Sequence, residues 1–147
     1  TEQWLALVVA ERLETSPCLR AVLVGHSYGA VTATSVAAAL EERFPDRVAA
    51  VALDRATQLY GRPGPPMPKR APVLNIYQLN EGWHGVPIRG ANVVNVNASS
   101  AVAPVDGAAG GPLRTVWHNN LDDAAVVRER AVAAIVSWVR DGTPPAP

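Results

Sequence analysis

The sequence predicts an α/β fold, an open and mostly parallel sheet with flanking helices. Two observations predict it. Short runs that are apolar at nearly every position alternate along the chain with amphipathic helical patterns. The first two runs, RAVLVG and RVAAVALD, also lack the in-out alternation of a sheet with one wet face, as expected where helices cover both faces. With 147 residues, 48% of them hydrophobic, the chain is about one domain long and can bury a core, so residues 1–147 are expected to form a single domain.

Residues 2–15 carry Leu5, Val8, Val9 and Leu13 at helical spacing, with Glu11, Arg12 and Glu14 among them, and Ser16-Pro17 stops the pattern. Residues 20–25 (RAVLVG) read as the first buried strand, and residues 28–43 as a second helix. After Pro45-Asp46, the run RVAAVALD is a second buried strand ending at an acidic residue. The stretch 62–72 (RPGPPMPKRAP) is too rich in proline for anything but a loop. VLNIYQL (73–79) and NVVNVNA (92–98) predict the third and fourth strands, and a Gly- and Ala-rich loop is expected over 99–112. From about 122, Val126, Val127, Arg130, Ala131, Ala134, Ile135 and Trp138 give a last amphipathic helix, closed by Gly142 and a proline-rich tail.

Composition excludes several function classes. The 13 basic and 13 acidic residues cancel, and no basic block is interleaved with aromatics, so nucleic acid is not an expected partner. No apolar run reaches the ~18 residues that span a bilayer, so no membrane span is expected. Cys18, the one cysteine, is expected to pack as a small hydrophobe. No metal and no cofactor are expected.

Gly25-His26-Ser27-Tyr28-Gly29 matches Gly-x-Ser-x-Gly between a predicted strand and a predicted helix. The bare pattern arises by chance in about 5% of chains this long, so the flanking strand and helix carry the weight. A serine on so tight a turn is held clear of the sheet, and side chains two residues to either side are expected to meet backbone, hence glycine at 25 and 29. The helix behind it points the positive end of its dipole at Ser27, and the Tyr28 backbone N–H is the expected first donor to an oxyanion formed there. A serine hydroxyl needs a base, and the base an orienting group. Of the 3 histidines, His118 in TVWHNNLDD, just before the last helix, is the expected base. His84 in NEGWHGVPI is the second choice, and His84 and His26 are expected to line the substrate pocket.

At these residues the chain resembles the α/β-hydrolase family, more loosely its lipase and esterase branches. The elbow is the specific part; the remainder is element order. The resemblance implies a triad in the order serine, acid, histidine, with the acid after one of two strands. Asp54 ends the strand that follows the elbow helix and is preferred; Glu81 follows the next strand, though as Asn80-Glu81-Gly82 where the family has Gly-x-x-Asp. Asp106, Asp122 and Asp123 stay open as acids. In the bland reading Asp54 caps a strand and pairs with Arg55 or Arg62, and Asp122 caps the last helix.

The family carries strands before the elbow, with a loop that supplies the second oxyanion donor. Those N-terminal strands are missing from this sequence, which starts at Thr1 almost directly in a helix. The chain is therefore expected to be the C-terminal portion of a longer enzyme. The implied function is a serine hydrolase that cleaves a small-molecule ester or thioester through an acyl-enzyme. The alternative is a catalytically weak or inactive binding protein on the same scaffold.

Overall fold

The computed structural model describes residues 2–56, 66–80, 82–105 and 111–145. Within them, four strands form one all-parallel sheet in the order β1-β2-β3-β4: β1 is Ala21–His26, β2 Val48–Leu53, β3 Val73–Tyr77 and β4 Val93–Asn97. Helix α1 (Glu2–Thr15) precedes β1, α2 (Tyr28–Leu40) joins β1 to β2, and α3 (Ala125–Asp141) follows the strands. No helix among the described residues is long and apolar enough to cross a membrane.

Period-two alternation sorts the central strands onto two cores. Val48 and Ala50 of β2 pack with Ala10 and Leu13 of α1 and Val36, Ala37 and Leu40 of α2. Val51 and Leu53 face the other way and join Leu74, Ile76, Val127, Ala131 and Ala134, on the side of α3. β2 and β3 are therefore buried at every position, which is why their sequences show no polar alternation. Small residues on α2, Ala30, Ala33 and Ala37, are buried and let the helix lie close to the sheet.

The stretch from 99 to 112 differs from the expected loop. Val102–Pro104 (β5) pairs antiparallel with Leu113–Thr115 (β6), and Ala103 and the adjoining Val116 are fully buried in the α3-side core. Strands of this length are shorter than the window in which periodicity shows. Helix α2 ends at Leu40, where the pattern predicts 43, and the chain turns ahead of Pro45. The last helix begins at Ala125 with Ala124 as its N-cap, so Asp122 does not cap it and lies in a 3-10 turn, His118–Asp123. Cys18 is exposed, not packed.

Glu41, the first residue past α2, fixes the entry to β3. Its carboxylate accepts hydrogen bonds from the backbone N–H groups of Lys69 (3.0 Å), Arg70 (2.8 Å) and Ala71 (2.8 Å). Burial pushes this carboxyl up, but the three donors and the Arg70 charge outweigh it and hold it below its ordinary value.

Candidate active site

The site is built at the carboxyl ends of the parallel strands, where the chain leaves the sheet. Ser27 follows β1 with φ 56° and ψ −120°, a conformation L-residues rarely adopt. The ladder holds it there: its N–H donates to the Leu53 carbonyl (2.9 Å), and its carbonyl accepts from the Ala56 N–H (3.3 Å). Gly25 is required by contact, because a Cβ there would lie 2.1 Å from the Gly29 carbonyl oxygen. Gly29 differs from the expectation: nothing among the described residues stands within 4 Å of where its Cβ would be. Tyr28 opens α2, and the first N–H groups of a helix have no intrahelical acceptor. Its phenol ring is exposed.

Asp54 follows β2 in the same manner, with φ 46°, and its N–H donates to the Ile76 carbonyl (2.7 Å). Its side chain is fully buried. Four N–H groups converge on the carboxylate. Oδ1 accepts from the backbone of Gly85 (2.6 Å) and Gln78 (3.2 Å), while Oδ2 accepts from Gln78 Nε2 (3.0 Å) and faces His118 Nδ1 at 2.7 Å. A Cβ on Gly85 would meet Asp54 Oδ1 at 2.8 Å and Cα at 3.0 Å, so only glycine brings that N–H so close. Arg55 does not pair with Asp54. It lies buried along α2 with Nε donating to Thr34 Oγ1 (3.0 Å), Nη2 meets no acceptor among the described residues, and burial holds the guanidinium below its ordinary value. Arg62, Glu81 and Asp106 lie outside the described residues.

His118 is the first residue of the 3-10 turn. Val116 and Leu121, both fully buried, anchor the chain on either side of it, and the Trp117 N–H donates to Asn120 Oδ1 (2.7 Å) to tighten the turn. Asn80 Nδ2 donates to the Val116 carbonyl (2.6 Å) and ties this segment to the end of β3. The imidazole thus spans the other two groups: Nδ1 is 2.7 Å from Asp54 Oδ2 and Nε2 is 2.7 Å from Ser27 Oγ. The carboxylate accepts only, so Nδ1 carries the proton and Nε2 is free to accept from the serine hydroxyl.

His26 lies against this ring, centroids 4.9 Å apart and planes tilted by 32°, with its Nε2 buried and without a hydrogen-bond partner among the described residues. His84 is exposed, and its Nδ1 lies 2.9 Å from the Gly85 carbonyl. Asp122 and Asp123 occupy the end of the 3-10 turn, whereas the carboxylate that meets the His118 ring is that of Asp54. Two clefts are lined by chain neighbours of the site residues and by none of Ser27, Asp54 and His118. One, of about 750 Å³, runs from the start of α1 to Tyr28 and Thr32. The other, of about 510 Å³, is lined by Trp117 and Asn119, the residues on either side of His118, with Thr115 and Arg114.

Sequence reasoning missed the residues that hold Asp54. Gln78 and Gly85 donate to it directly, and two asparagines brace the 85–88 stretch. Asn75 Nδ2 donates to the Val86 carbonyl (3.0 Å) and to Asn95 Oδ1 (2.8 Å), and Asn95 exchanges bonds with the Ile88 backbone (2.8 and 2.9 Å). Their signal was present as asparagine inside two strands, where that residue is disfavoured unless its amide has work to do. Comparison of the chain with protein-family models and with curated proteins gave no match.

Proposed function

We propose that the chain is a serine hydrolase of the α/β-hydrolase type, acting on a small carboxylic ester or thioester through an acyl-enzyme. One observation carries the reading: the His118 ring places Nδ1 2.7 Å from a buried carboxylate and Nε2 2.7 Å from a serine hydroxyl on a strained strand-to-helix turn. Nucleophile, base and orienting acid need this relation.

In the first half-reaction Ser27 Oγ attacks the carbonyl carbon as its proton passes to His118 Nε2. Asp54 steadies the resulting imidazolium through Nδ1. The tetrahedral oxyanion is received by the Tyr28 N–H at the positive end of α2. Collapse breaks the bond to the alcohol or thiol, which leaves with the proton from Nε2. Water then attacks the acyl carbon, gives its proton to Nε2, and the second collapse releases the acid and returns the proton to Ser27.

The experiment is labelling by a fluorophosphonate probe together with hydrolysis of short p-nitrophenyl esters. Labelling confined to Ser27, with turnover abolished in Ser27→Ala, supports the reading. Absence of both in the folded protein sinks it in favour of a binding protein on the same scaffold.

A further inference from the structure

Gln78 follows β3 directly, is fully buried, and has every polar atom of its amide engaged. Nε2 donates to Asp54 Oδ2 (3.0 Å) and to the Trp83 carbonyl (2.9 Å), while Oε1 accepts from the Asn80 N–H (2.7 Å). Both groups facing Nε2 are acceptors and the group facing Oε1 is a donor, so the amide has one admissible orientation. Its own backbone N–H goes to Asp54 Oδ1 at 3.2 Å. One residue therefore grips both oxygens of the carboxylate, and at Oδ2 it shares the atom that faces His118 Nδ1.

On this basis we infer that Gln78 is the positioning residue of the site: its amide sets the rotation of the Asp54 carboxylate, and through it the alignment of His118 on Ser27. The inference rests on the hydrolase reading for its kinetic consequence and on geometry alone for its structural one. Neither Asn80 nor Trp83 can substitute, since each meets Gln78 through backbone atoms and neither donates to Asp54. A carboxylate also has about four acceptor positions, all of them used here, so loss of the Nε2 donor leaves Oδ2 free to swing toward whichever donor remains. Glutamate in place of Gln78 keeps the shape and reverses the chemistry. As a carboxylate it presents charge to Asp54 and to the Trp83 carbonyl; once protonated, it has an O–H to restore the bond to Oδ2.

Two variants test this. Gln78→Met removes the donor and keeps the volume; Gln78→Glu makes the donor depend on a proton. Folding is checked for both by thermal melting. The first readout needs no turnover: the low-field NMR resonance of the His118 Nδ1 proton should be sharp in the parent chain and shifted or exchange-broadened in Gln78→Met. The second is kinetic. Gln78→Met should lose roughly 10- to 100-fold in kcat with little change in KM, as expected for a misaligned base. The deficit of Gln78→Glu relative to Gln78→Met should shrink as pH is lowered and grow as it is raised. Asp54, His118, His26 beside it, and His84 next to Gly85 are the titratable groups that face this position, and the new carboxyl couples directly to the Asp54–His118 pair, so the ratio reads the proton on residue 78 through that pair. A folded Gln78→Met with an unaltered resonance and kcat within about two-fold of the parent overturns the inference, as does a ratio flat with pH. If no ester is turned over but the resonance moves in Gln78→Met, the positioning role stands and the hydrolase reading fails.

Discussion

Gly25 stands so close to Gly29 that a methyl group built on it would lie 2.1 Å from the Gly29 carbonyl oxygen, whereas a methyl group on Gly29 would touch nothing described. The two glycines of the elbow are thus unequal. Gly25→Ala should unfold the elbow at a cost of about 3 kcal/mol or more, since backbone and not a flexible side chain blocks the space. Gly29→Ala should be neutral or slightly stabilising, because alanine has the higher helix propensity. Urea melts of the two variants check the contrast; a tolerated Gly25→Ala would contradict the elbow geometry.

Ser27 separates activity from stability. With φ at 56° it is strained as any L-residue would be, so Ser27→Ala keeps the strain and Ser27→Gly relieves it. Both should lose at least about 10⁴-fold in ester turnover. The glycine variant should nevertheless be more stable than the alanine variant by about 1 kcal/mol, which paired denaturation curves would reveal.

For the acid, Asp54→Asn should lower kcat by roughly three to four orders of magnitude. An amide there also turns an NH₂ group toward N–H donors from Gln78 or Gly85, or offers His118 the wrong tautomer. Glu81→Gln should cost far less. Single-turnover kinetics on the two variants give the ranking, and the opposite order moves the acid to residue 81.

Candidates for the site were legible one at a time. GHSYG announces Ser27 by spacing, and Asp54 and Glu81 are both acids lying past a strand. What distinguishes Asp54 is a left-handed φ of 46° and four converging donors, and neither is written in the local sequence. Buried β2 was legible for a plain reason, since a strand covered on both faces reads as a continuous apolar run; β1 shows a similar run and is expected to be buried, but it lies at the edge of the sheet with only Leu23 buried and Val24 exposed. The β5–β6 pair was not, because its strands are too short to show a period. Gln78 was hidden as the polar end of VLNIYQL, since Asp54, just past β2, and Trp83 meet it only in three dimensions.

Glu41 predicts a pH dependence of stability. Its folded-state value lies below the ordinary 4.5, so the stability it contributes is present above about that pH and is lost as pH falls through the lower folded value. Glu41→Gln leaves the N–H groups of residues 69–71, that of Ala71 buried, poorly matched and should cost about 1–3 kcal/mol near neutrality. The gap in melting temperature between parent and variant should be constant down to about pH 4.5 and close below it. A gap that persists undiminished in stronger acid would remove the carboxylate from the account.

Every pairing in the main sheet joins strands across a crossover: Ala21 meets Val48, Ala50 meets Val73, and Val73 meets Val93. No tight hairpin seeds the sheet, and the bond from His118 to Ser27 closes a still longer loop than any of these. Chain-closure entropy is therefore spent before most of the rewarding contacts exist, a topology that folds slowly. During refolding, helical signal and compaction should return before the Ser27–His118 bond forms. Reactivity at Ser27, sampled by stopped-time labelling, would then act as a clock for the last stage of assembly.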